Sequence, residues 1–264
     1  MTMHGMVHPQ RSRLLSDLGV PHGITTRTTV LPDDGDVSFV TAPASARANR
    51  QAWWRALGLP LERTVCAQQV HGNAIACVDE RDAGRGAWCY EEAISGVDGL
   101  IVTAPGIPVA VFCADCLPIL LYAPQRPIAA AIHAGWRGTT QGVVVRALEM
   151  LMTRYTVQPR DLVAVLGPAI GSCCYAVGEE VITAWRALGL ANWEAAVEWQ
   201  DGHWRFDLRQ AAQLVLQAYG VPAEQIECVG GCTACHPDLW FSHRRPVGHE
   251  GRFAAVIMIP TMTE

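Results

Sequence analysis

The sequence contains no lysine, because all 20 of its basic residues are arginine. This absence excludes two classes of enzyme: those that form a Schiff base on a lysine amine, and those that bind nucleotide phosphates with the lysine of a P-loop. Any anion that the protein binds must therefore be held by planar guanidinium groups or by backbone N–H groups.

Charged residues are also scarce, at 17% of the chain, and the formal net charge is -5. A protein that binds the phosphate backbone of nucleic acids needs a basic face, so the composition argues against nucleic acid as a partner. Half of the residues are apolar, which is typical of a folded globular chain. We expect a small-molecule substrate and predict neither a membrane nor a protein partner.

Long apolar segments are missing as well. The N-terminal segment contains no apolar stretch of secretory length, and no later apolar run reaches the length of a membrane span without interruption. We therefore expect a soluble, cytoplasmic protein. In that compartment the ten cysteines are expected to be reduced thiols, which serve as buried small side chains or as metal ligands.

Short apolar segments separated by glycine, proline and acidic turns predict a mixture of strands and helices. Strands are predicted at residues 22–30, 70–78, 98–103, 127–133, 161–166 and 254–259, with two more inside residues 108–123 that meet at a turn at 115–118. Helices are predicted at residues 45–59, after a cap at Thr139 or Thr140, at 177–188, and from Asp207 to residue 219. This pattern predicts an α/β (α+β) protein, with residues 1–264 forming a single domain.

Four segments place polar side chains beside the predicted strands. They are QQVHG at 68–72, CADCLP at 113–118, HAGWRG at 133–138 and GSCCY at 171–175. His71, Cys116 and His133 from three of these segments can converge as ligands of one zinc ion. Zinc binds imidazole and thiolate readily, and three protein ligands leave one position open for chemistry.

Other interpretations of the same residues stay open at this level. Cys116 and His133 can also be the nucleophile and base of a hydrolase or amidase. The chain has two CxxC pairs, Cys113/Cys116 and Cys232/Cys235. A gap of about a hundred residues separates them, far outside the spacing of zinc ribbons, so a shared four-cysteine site is not expected.

These segments resemble those of the laccase-domain proteins, a family also called multicopper polyphenol oxidase or YfiH-like. The resemblance extends in order over most of the chain. Its motifs here are HGITTR at 22–27, QQVHG at 68–72, DGLIVTAPGIPVAVFCADCLPILLY at 98–122, AAIHAGWRGTTQG at 130–142, GPAIGSCCYAVGEEV at 167–181, DLRQAAQLVLQAYGV at 207–221, CT at 232–233 and FSHRR at 241–245.

The resemblance implies a layered sandwich of mixed β-sheets flanked by helices, similar to the cysteine-hydrolase domain of deamidating toxins. It also implies one zinc ion bound by His71, Cys116 and His133. Copper fits less well. A multicopper oxidase needs a blue-copper site and a trinuclear cluster, typically built from HxH pairs, whereas this chain has nine histidines and no HxH pair.

The activities that the resemblance implies are phosphorolysis of purine nucleosides (adenosine, inosine, guanosine and methylthioadenosine) and deamination of adenosine. Beside the ligand Cys116, Asp115 is the expected proton shuttle, with a role in turning the chain as the alternative. The expected substrate contacts are Arg50, Gln69, Arg137 and Cys174, with Arg244 and Arg245 as further candidates for binding phosphate.

Three other functions remain as alternatives. One is an amidase that removes serine from a UDP-muramyl precursor of peptidoglycan with Cys116 and His133. Another is a copper-dependent polyphenol oxidase. The third is a non-catalytic protein with a closed zinc shell, which a fourth ligand such as Cys113 or Cys174 would favour.

The chain departs from the family's pattern at three positions. Gln68 stands where an asparagine is usual and is one methylene longer. His243 replaces the usual tyrosine of the FSHRR segment, and Cys235, the second cysteine of the CxxC at 232–235, is outside the pattern. None of these departures affects an expected zinc ligand.

Overall fold

Two large sheets and one small sheet contain the main strands of the structure, a computed structural model that describes residues 7–261. Residues 1–6, part of the N-terminal segment in which no secretory signal is predicted, and residues 262–264 lie outside the described part. The strands are β1 (His22–Ile24), β2 (Val65–Gln68), β3 (Ile75–Val78), β4 (Ile94–Ser95), β5 (Gly99–Val102), β6 (Val109–Cys113), β7 (Leu117–Ala123), β8 (Ile128–Ala134), β9 (Val163–Leu166), β10 (Ala176–Val177), β11 (Val197–Gln200), β12 (His203–Phe206), β13 (Ile226–Cys228) and β14 (Phe253–Ile257). The helices are α1 (Arg13–Asp17), α2 (Ala46–Leu57), α3 (Trp136–Thr140), α4 (Val143–Tyr155), α5 (Glu179–Arg186) and α6 (Leu208–Ala218).

The largest sheet has six strands in the order β13-β9-β7-β8-β5-β3. At its centre β7 and β8 form an antiparallel pair in which Pro118 lies opposite His133. The side chains of β7 alternate between two cores, with Ile119 packing toward α4 and α6 and Leu120 packing toward the second large sheet. Both faces of this sheet are therefore buried, which explains why the sequence of β7 is apolar without a break.

The second large sheet has five strands in the order β1-β14-β6-β2-β4. On β6, Val109 and Val111 pack in the core between the two sheets, whereas Ala110 faces a third cluster that contains Trp53 and Trp54 of α2. The order of layers is thus helix, sheet, sheet, helix. Burial of each large apolar side chain in these cores stabilises the fold by about 1.5–3 kcal/mol.

The predicted helix after Thr139 or Thr140 begins differently in the structure. Helix α3 starts at Trp136, and α4 starts only after Gly142, whose φ of 77° lies in the left-handed region. Neither threonine caps a helix, because the left-handed turn at Gly142 separates two helices where one is predicted. The prediction of a cap at Asp207 is confirmed, since its carboxylate accepts hydrogen bonds from two amides of the first turn of α6.

The predicted strand at residues 70–78 is present only as β3, and the chain before it forms a turn. The cause is the carboxylate of Asp98, which accepts hydrogen bonds from the consecutive amides of Val70, His71 and Gly72. These N–H groups curl around one carboxylate and cannot form a β-ladder. The two strands predicted inside residues 108–123 are confirmed as β6 and β7, joined by a turn around Asp115. They do not pair with each other, because β6 lies in the five-stranded sheet and β7 in the six-stranded sheet.

The small sheet, in the order β10-β12-β11, is antiparallel and packs against α5 and α6 near the largest sheet. The predicted fold class, a layered sandwich of mixed sheets flanked by helices, is confirmed. The assignment of one domain to residues 1–264 stays a prediction. Within residues 7–261, no helix combines the length and the apolar character that crossing a membrane requires.

Candidate metal and active site

The three predicted ligands come together in the structure. The ligand atoms of His71, Cys116 and His133 all lie within 4.8 Å of one another. The rings of the two histidines meet edge to face, with their centroids 4.9 Å apart. We call these three residues the histidine–cysteine cluster.

The central hairpin of the largest sheet brings two of the ligands together. Cys116 immediately precedes β7, and His133 is near the end of β8, where its cross-strand partner is Pro118. His71 reaches the same point from the turn after β2, with a φ of 60°. Strand register therefore fixes two ligands, and a turn supplies the third.

Asp98, which the sequence analysis did not select, holds this cluster in place. Its side chain is fully buried, and Nδ1 of His133 donates to its Oδ1 at 2.8 Å. The same oxygen accepts the amide of His71 at 2.9 Å. A histidine that donates from Nδ1 leaves Nε2 to face a metal ion, so this carboxylate orients the imidazole of His133 and fixes the backbone of His71. The signal in the sequence is a single acidic residue at the start of the apolar segment DGLIV.

Electrostatics favour the thiolate in this cluster. Burial alone would raise the pKa of the Cys116 thiol, but the positive charge and hydrogen bond of His133, together with His71, lower it to about 6. Burial would likewise lower the pKa of His133, yet Cys116 and Asp98 raise it to about 9. In Asp98, burial is outweighed by the hydrogen bonds from His133 and Gly72, and its pKa is lowered. Cys116 is therefore ready to act as a thiolate at neutral pH.

Gly135 leaves the space that this thiolate occupies. A methyl group at Gly135 would lie 2.8 Å from Sγ of Cys116 and 3.2 Å from Cδ2 of His71. Such contacts are too short for any side chain larger than hydrogen. The HAGWRG segment thus needs a glycine directly after β8, because the side chains of Cys116 and His71 lie against the backbone at this position.

The donor set fits a zinc ion. Two imidazoles and one thiolate are ligands that zinc prefers, and three protein ligands are typical of catalytic zinc sites. Among the described residues, the cluster contains neither Cys113 nor Cys174, the candidates for a fourth ligand. Cys113 is buried between the sheets, and burial raises the pKa of its thiol well above the usual value.

The cluster lies at a cavity of about 530 Å³. This size is in the range of pockets that bind small organic ligands. Arg50, Gln69, Asp115 and Arg137, which the sequence analysis selected, line the cavity together with His243 and Arg244. The structure adds lining residues that sequence reasoning missed, among them Phe39, Trp136, Tyr175 and Arg252.

Four arginines give the cavity a positive character: Arg50, Arg137, Arg244 and Arg252. Arg137 is exposed, and its Cζ atom lies 4.3 Å from the centroid of the Trp136 ring. It forms no ion pair with any carboxylate of residues 7–261. Its fork of N–H donors is therefore free to bind an anion.

Arg50 has a more structural environment than Arg137. It is buried between the rings of Phe39 and Phe112, at 4.1 Å and 4.6 Å from their centroids. Its Nε and Nη1 donate to the backbone carbonyls of Val37 and Gly86, both at 2.7 Å. Burial lowers the pKa of this guanidinium. Arg50 thus forms a rigid wall of the cavity.

Two other predicted contacts are already bonded to the protein. The amide of Gln69 forms a pair of hydrogen bonds with the backbone of Phe112, each 2.8 Å long. The carboxylate of Asp115 accepts the hydroxyl of Thr233 at 2.5 Å and the amide of Arg244 at 2.6 Å. Asp115 also has a φ of 85° in the turn before β7. Its contacts fit the role of turning the chain, and its role as a proton shuttle stays a prediction.

Cys174 and Arg245 do not line the cavity. Sγ of Cys174 instead lies 3.4 Å from Sγ of Cys235. The two CxxC pairs of the sequence do not meet, because Cys232 and Cys235 join Cys173 and Cys174 in a second group of possible ligands. The adjacent Tyr175 lines the cavity. Burial raises the pKa of its phenol, and the negative charge of the nearby Cys116 thiolate raises it further. Tyr175 therefore stays protonated and can donate a hydrogen bond.

Comparison with known proteins finds relatives over most of the chain. A family model described as multi-copper polyphenol oxidoreductase laccase matches residues 36–260. The chain is 40% identical over 211 residues to purine nucleoside phosphorylase YlmD of Geobacillus stearothermophilus, covering 79% of this chain and 76% of the relative. It is also 36% identical over 197 residues to adenosine deaminase RL5 of an unknown prokaryotic organism, covering 74% of this chain and 75% of that protein.

Solved structures show the same fold. The crystal structure of hypothetical protein YfiH from Bacillus licheniformis matches with a TM-score of 0.86 at 33% identity, covering 92% of this chain and 93% of that one. The crystal structure of YlmD from Geobacillus stearothermophilus matches with a TM-score of 0.86 at 34% identity, covering 95% and 94%.

Proposed function

The chain belongs to the multi-copper polyphenol oxidoreductase laccase family, and on that premise we propose that it is a zinc-dependent purine nucleoside phosphorylase that also deaminates adenosine. The observation that carries the proposal is the histidine–cysteine cluster in the lining of a cavity that four arginines also line. The relatives named purine nucleoside phosphorylase and adenosine deaminase support both activities. We propose adenosine, inosine, guanosine and methylthioadenosine as substrates.

The site divides the work of phosphorolysis among its residues. An oxygen of phosphate attacks C1′ of the ribose, the bond from C1′ to the base nitrogen breaks, and the departing purine takes up a proton. Arg137, which has no carboxylate partner among the described residues, binds the phosphate, and Arg244 and Arg252 add positive charge to the same cavity. Holding both reactants in one enclosed site supplies much of the rate increase.

His71, Cys116 and His133 would hold the zinc ion, and Asp98 keeps the imidazole of His133 in the orientation that binding needs while it fixes the backbone of His71. Zinc bound there would supply Lewis acidity in the cavity. The rings of Phe39 and Phe112, with Arg50 between them, form an aromatic wall suited to a purine base.

Deamination of adenosine uses the same cavity. Water adds to C6 of the purine and ammonia leaves, which requires a group that moves a proton from the water to the leaving nitrogen. Asp115 is the carboxylate of the cavity lining and is adjacent to Cys116. Its present hydrogen bonds from Thr233 and Arg244 would orient it for that transfer.

The amidase alternative uses Cys116 as a nucleophile and His133 as its base, and the lowered pKa of the thiol is compatible with it. The oxidase alternative needs additional copper sites whose ligands include histidines. Among the residues that the structure describes, the other group of at least three possible ligands consists of cysteines alone.

We also propose that the protein is cytoplasmic, a compartment in which its free thiols stay reduced.

Product analysis separates these functions. Wild-type protein is incubated with inosine with and without phosphate, with adenosine, and with a serine-containing UDP-muramyl precursor. We expect hypoxanthine and ribose 1-phosphate from inosine only when phosphate is present, and inosine plus ammonia from adenosine. Release of serine without any nucleoside turnover would replace the proposal with the amidase. Oxidation of phenols with bound copper would replace it with the oxidase.

A further inference from the structure

Four cysteines outside the histidine–cysteine cluster meet at the edge of the largest sheet. Their Sγ atoms all lie within 4.8 Å of one another. Strands β9 and β13 pair in parallel, with Leu166 opposite Cys228, so the chain leaves both strands at the same edge. The loop after β9 carries Cys173 and Cys174, and the loop after β13 carries the other pair. We call this group the four-cysteine cluster: Cys173, Cys174, Cys232 and Cys235.

The distances between the sulfur atoms suit one tetrahedral ion. Four thiolates at about 2.3 Å from zinc lie about 3.8 Å from one another. Sγ of Cys235 is 3.6 Å from that of Cys173 and 3.4 Å from that of Cys174. Cys235 is therefore almost equally close to two partners. A disulfide would bring Sγ of Cys235 to about 2.05 Å from the sulfur of one partner, and the two remaining thiols of the group would then have no role.

The backbone around the cluster is held in place by hydrogen bonds. The amide of Gly171 donates to Sγ of Cys232 at 3.3 Å, and such bonds to ligand sulfurs are typical of metal–thiolate sites. The amide of Thr233 donates to the carbonyl of Ala169 at 3.1 Å, which ties the two loops together. The amide of Cys235 donates to the carbonyl of Cys232 at 3.2 Å, closing the CxxC turn.

We propose that the four-cysteine cluster binds a second zinc ion in a closed structural site. Thiolate ligands select zinc among the common divalent cations, and four of them complete its tetrahedral shell. The ion would join the two loops at their ends. Both loops lead directly to the cavity, because Tyr175 follows Cys174 and Thr233, the donor to Asp115, follows Cys232. The second zinc ion thus fixes the walls of the active site.

Metal analysis of matched variants tests the proposal. Protein is produced with zinc supplied, purified under reducing conditions, and its zinc content measured by mass spectrometry. We use the double variant Cys173→Ser/Cys235→Ser, because both side chains are exposed and their replacement removes no buried packing. The matched control is Cys228→Ser, which changes an exposed cysteine outside both clusters. A further variant, Cys116→Ser, empties the other site.

We expect two zinc ions per chain in wild-type protein and in Cys228→Ser, and one in the double variant and in Cys116→Ser. After replacement of zinc by Co²⁺, the thiolate-to-metal absorption should fall in the double variant to the weaker absorption of the single Cys116 thiolate, and the intense absorption of the four thiolates should be kept in Cys116→Ser. Equal zinc content in wild-type protein and the double variant would overturn the proposal. A disulfide at Cys235 in place of the metal, or bound iron with its colour, would overturn it as well. Absence of zinc from the histidine–cysteine cluster would contradict the proposed function and not this proposal, because the difference in zinc content between wild-type protein and the double variant measures only the four-cysteine cluster.

Discussion

The histidine–cysteine cluster and the four-cysteine cluster differ in their ligands and in their surroundings. The first combines two imidazoles with one thiolate, is oriented by the buried carboxylate of Asp98, and faces a cavity of about 530 Å³. The second contains only thiols, two of them exposed, and backbone amides hold its loops. Three ligands beside a cavity leave room for a substrate, whereas four ligands fill the coordination shell. The comparison therefore supports the two proposals, which assign chemistry to the first cluster and a structural role to the second.

The two clusters are also positioned by different means. The register of β7 and β8 places Cys116 and His133 at neighbouring positions, so the packed core of the sheet maintains the first site. The second cluster depends on two loops that follow parallel strands. Packing holds strands more firmly than loops. We therefore expect the first site to keep its shape without metal and the second to need the ion.

The largest predicted effect among point variants of supporting residues is that of Asp98→Asn. The amide keeps the shape of the side chain but replaces the charged acceptor of Nδ1 of His133 and of the His71 amide. We expect the affinity of the histidine–cysteine cluster for zinc to fall by about 10–100-fold, with the four-cysteine cluster unaffected. Zinc competition with a coloured chelator measures this.

The matched control is Asp36→Asn. Asp36 is equally buried and also accepts a hydrogen bond from a histidine, His249, but it belongs to neither cluster. This variant should lose stability and keep its affinity for zinc. Wild-type affinity in Asp98→Asn would show that Asp98 does not orient the ligands.

Arg137→Ala tests the cavity rather than the metal. Loss of one charge-assisted hydrogen bond to phosphate should cost about 1.5–3 kcal/mol, so kcat/KM for phosphate should fall by roughly tenfold or more. Zinc content should stay unchanged. The control is Arg245→Ala, since Arg245 does not line the cavity. If both variants phosphorolyse inosine like wild-type protein, Arg137 has only a structural role.

Gly135→Ala should have a smaller effect. Its methyl group would come 2.8 Å from Sγ of Cys116, and overpacking of this kind costs about 1–3 kcal/mol. We expect zinc to bind about fivefold more weakly or worse at the first cluster only. Gly72→Ala is the control, because a methyl group there meets its nearest neighbours at 3.6 Å. Equal affinity in the two variants would mean that the backbone at Gly135 moves aside freely.

The smallest predicted difference is one of thiol reactivity in metal-free protein. His133 and His71 outweigh burial and lower the pKa of Cys116 to about 6, whereas burial and Cys235 raise that of Cys174 to about 11. The thiolate of Cys116 is lost as the pH falls through about 6. Alkylation of Cys116 should therefore level off above about pH 7, while that of Cys174 still rises at pH 9. Peptide mass spectrometry after brief iodoacetamide treatment measures both rates. Parallel pH profiles would contradict the electrostatic difference between the clusters.

Local sequence patterns predicted the strands, turns and helix ends that depend only on residues close together in the chain. The apolar runs around residues 108–123 predicted strands β6 and β7 with a turn between them, and the carboxylate of Asp207 predicted the start of α6. The three ligands of the first cluster were selected because each follows or ends an apolar strand and because the segments resemble a known family. The structure brings their ligand atoms within 4.8 Å of one another, and their role as zinc ligands stays a prediction.

Contacts between distant segments could not be predicted in this way. Asp98 and His133 are 35 positions apart, and Cys173 and Cys235 are 62 positions apart. No periodicity links such pairs, because the order of strands in a sheet decides which loops meet. The turn at His71 was missed for the same reason, since a carboxylate from another segment bends it.

Removal and return of zinc test the central claim most directly. Wild-type protein is depleted of metal with a chelator, and phosphorolysis of inosine is measured before and after zinc is restored, with Cys116→Ser treated in parallel. We expect activity to disappear on depletion and to return with zinc in wild-type protein, and to stay absent in Cys116→Ser, because a hydroxyl replaces a thiolate ligand poorly. Full turnover by metal-depleted wild-type protein, with an acyl or glycosyl adduct on Cys116, would contradict the account and assign Cys116 as a nucleophile.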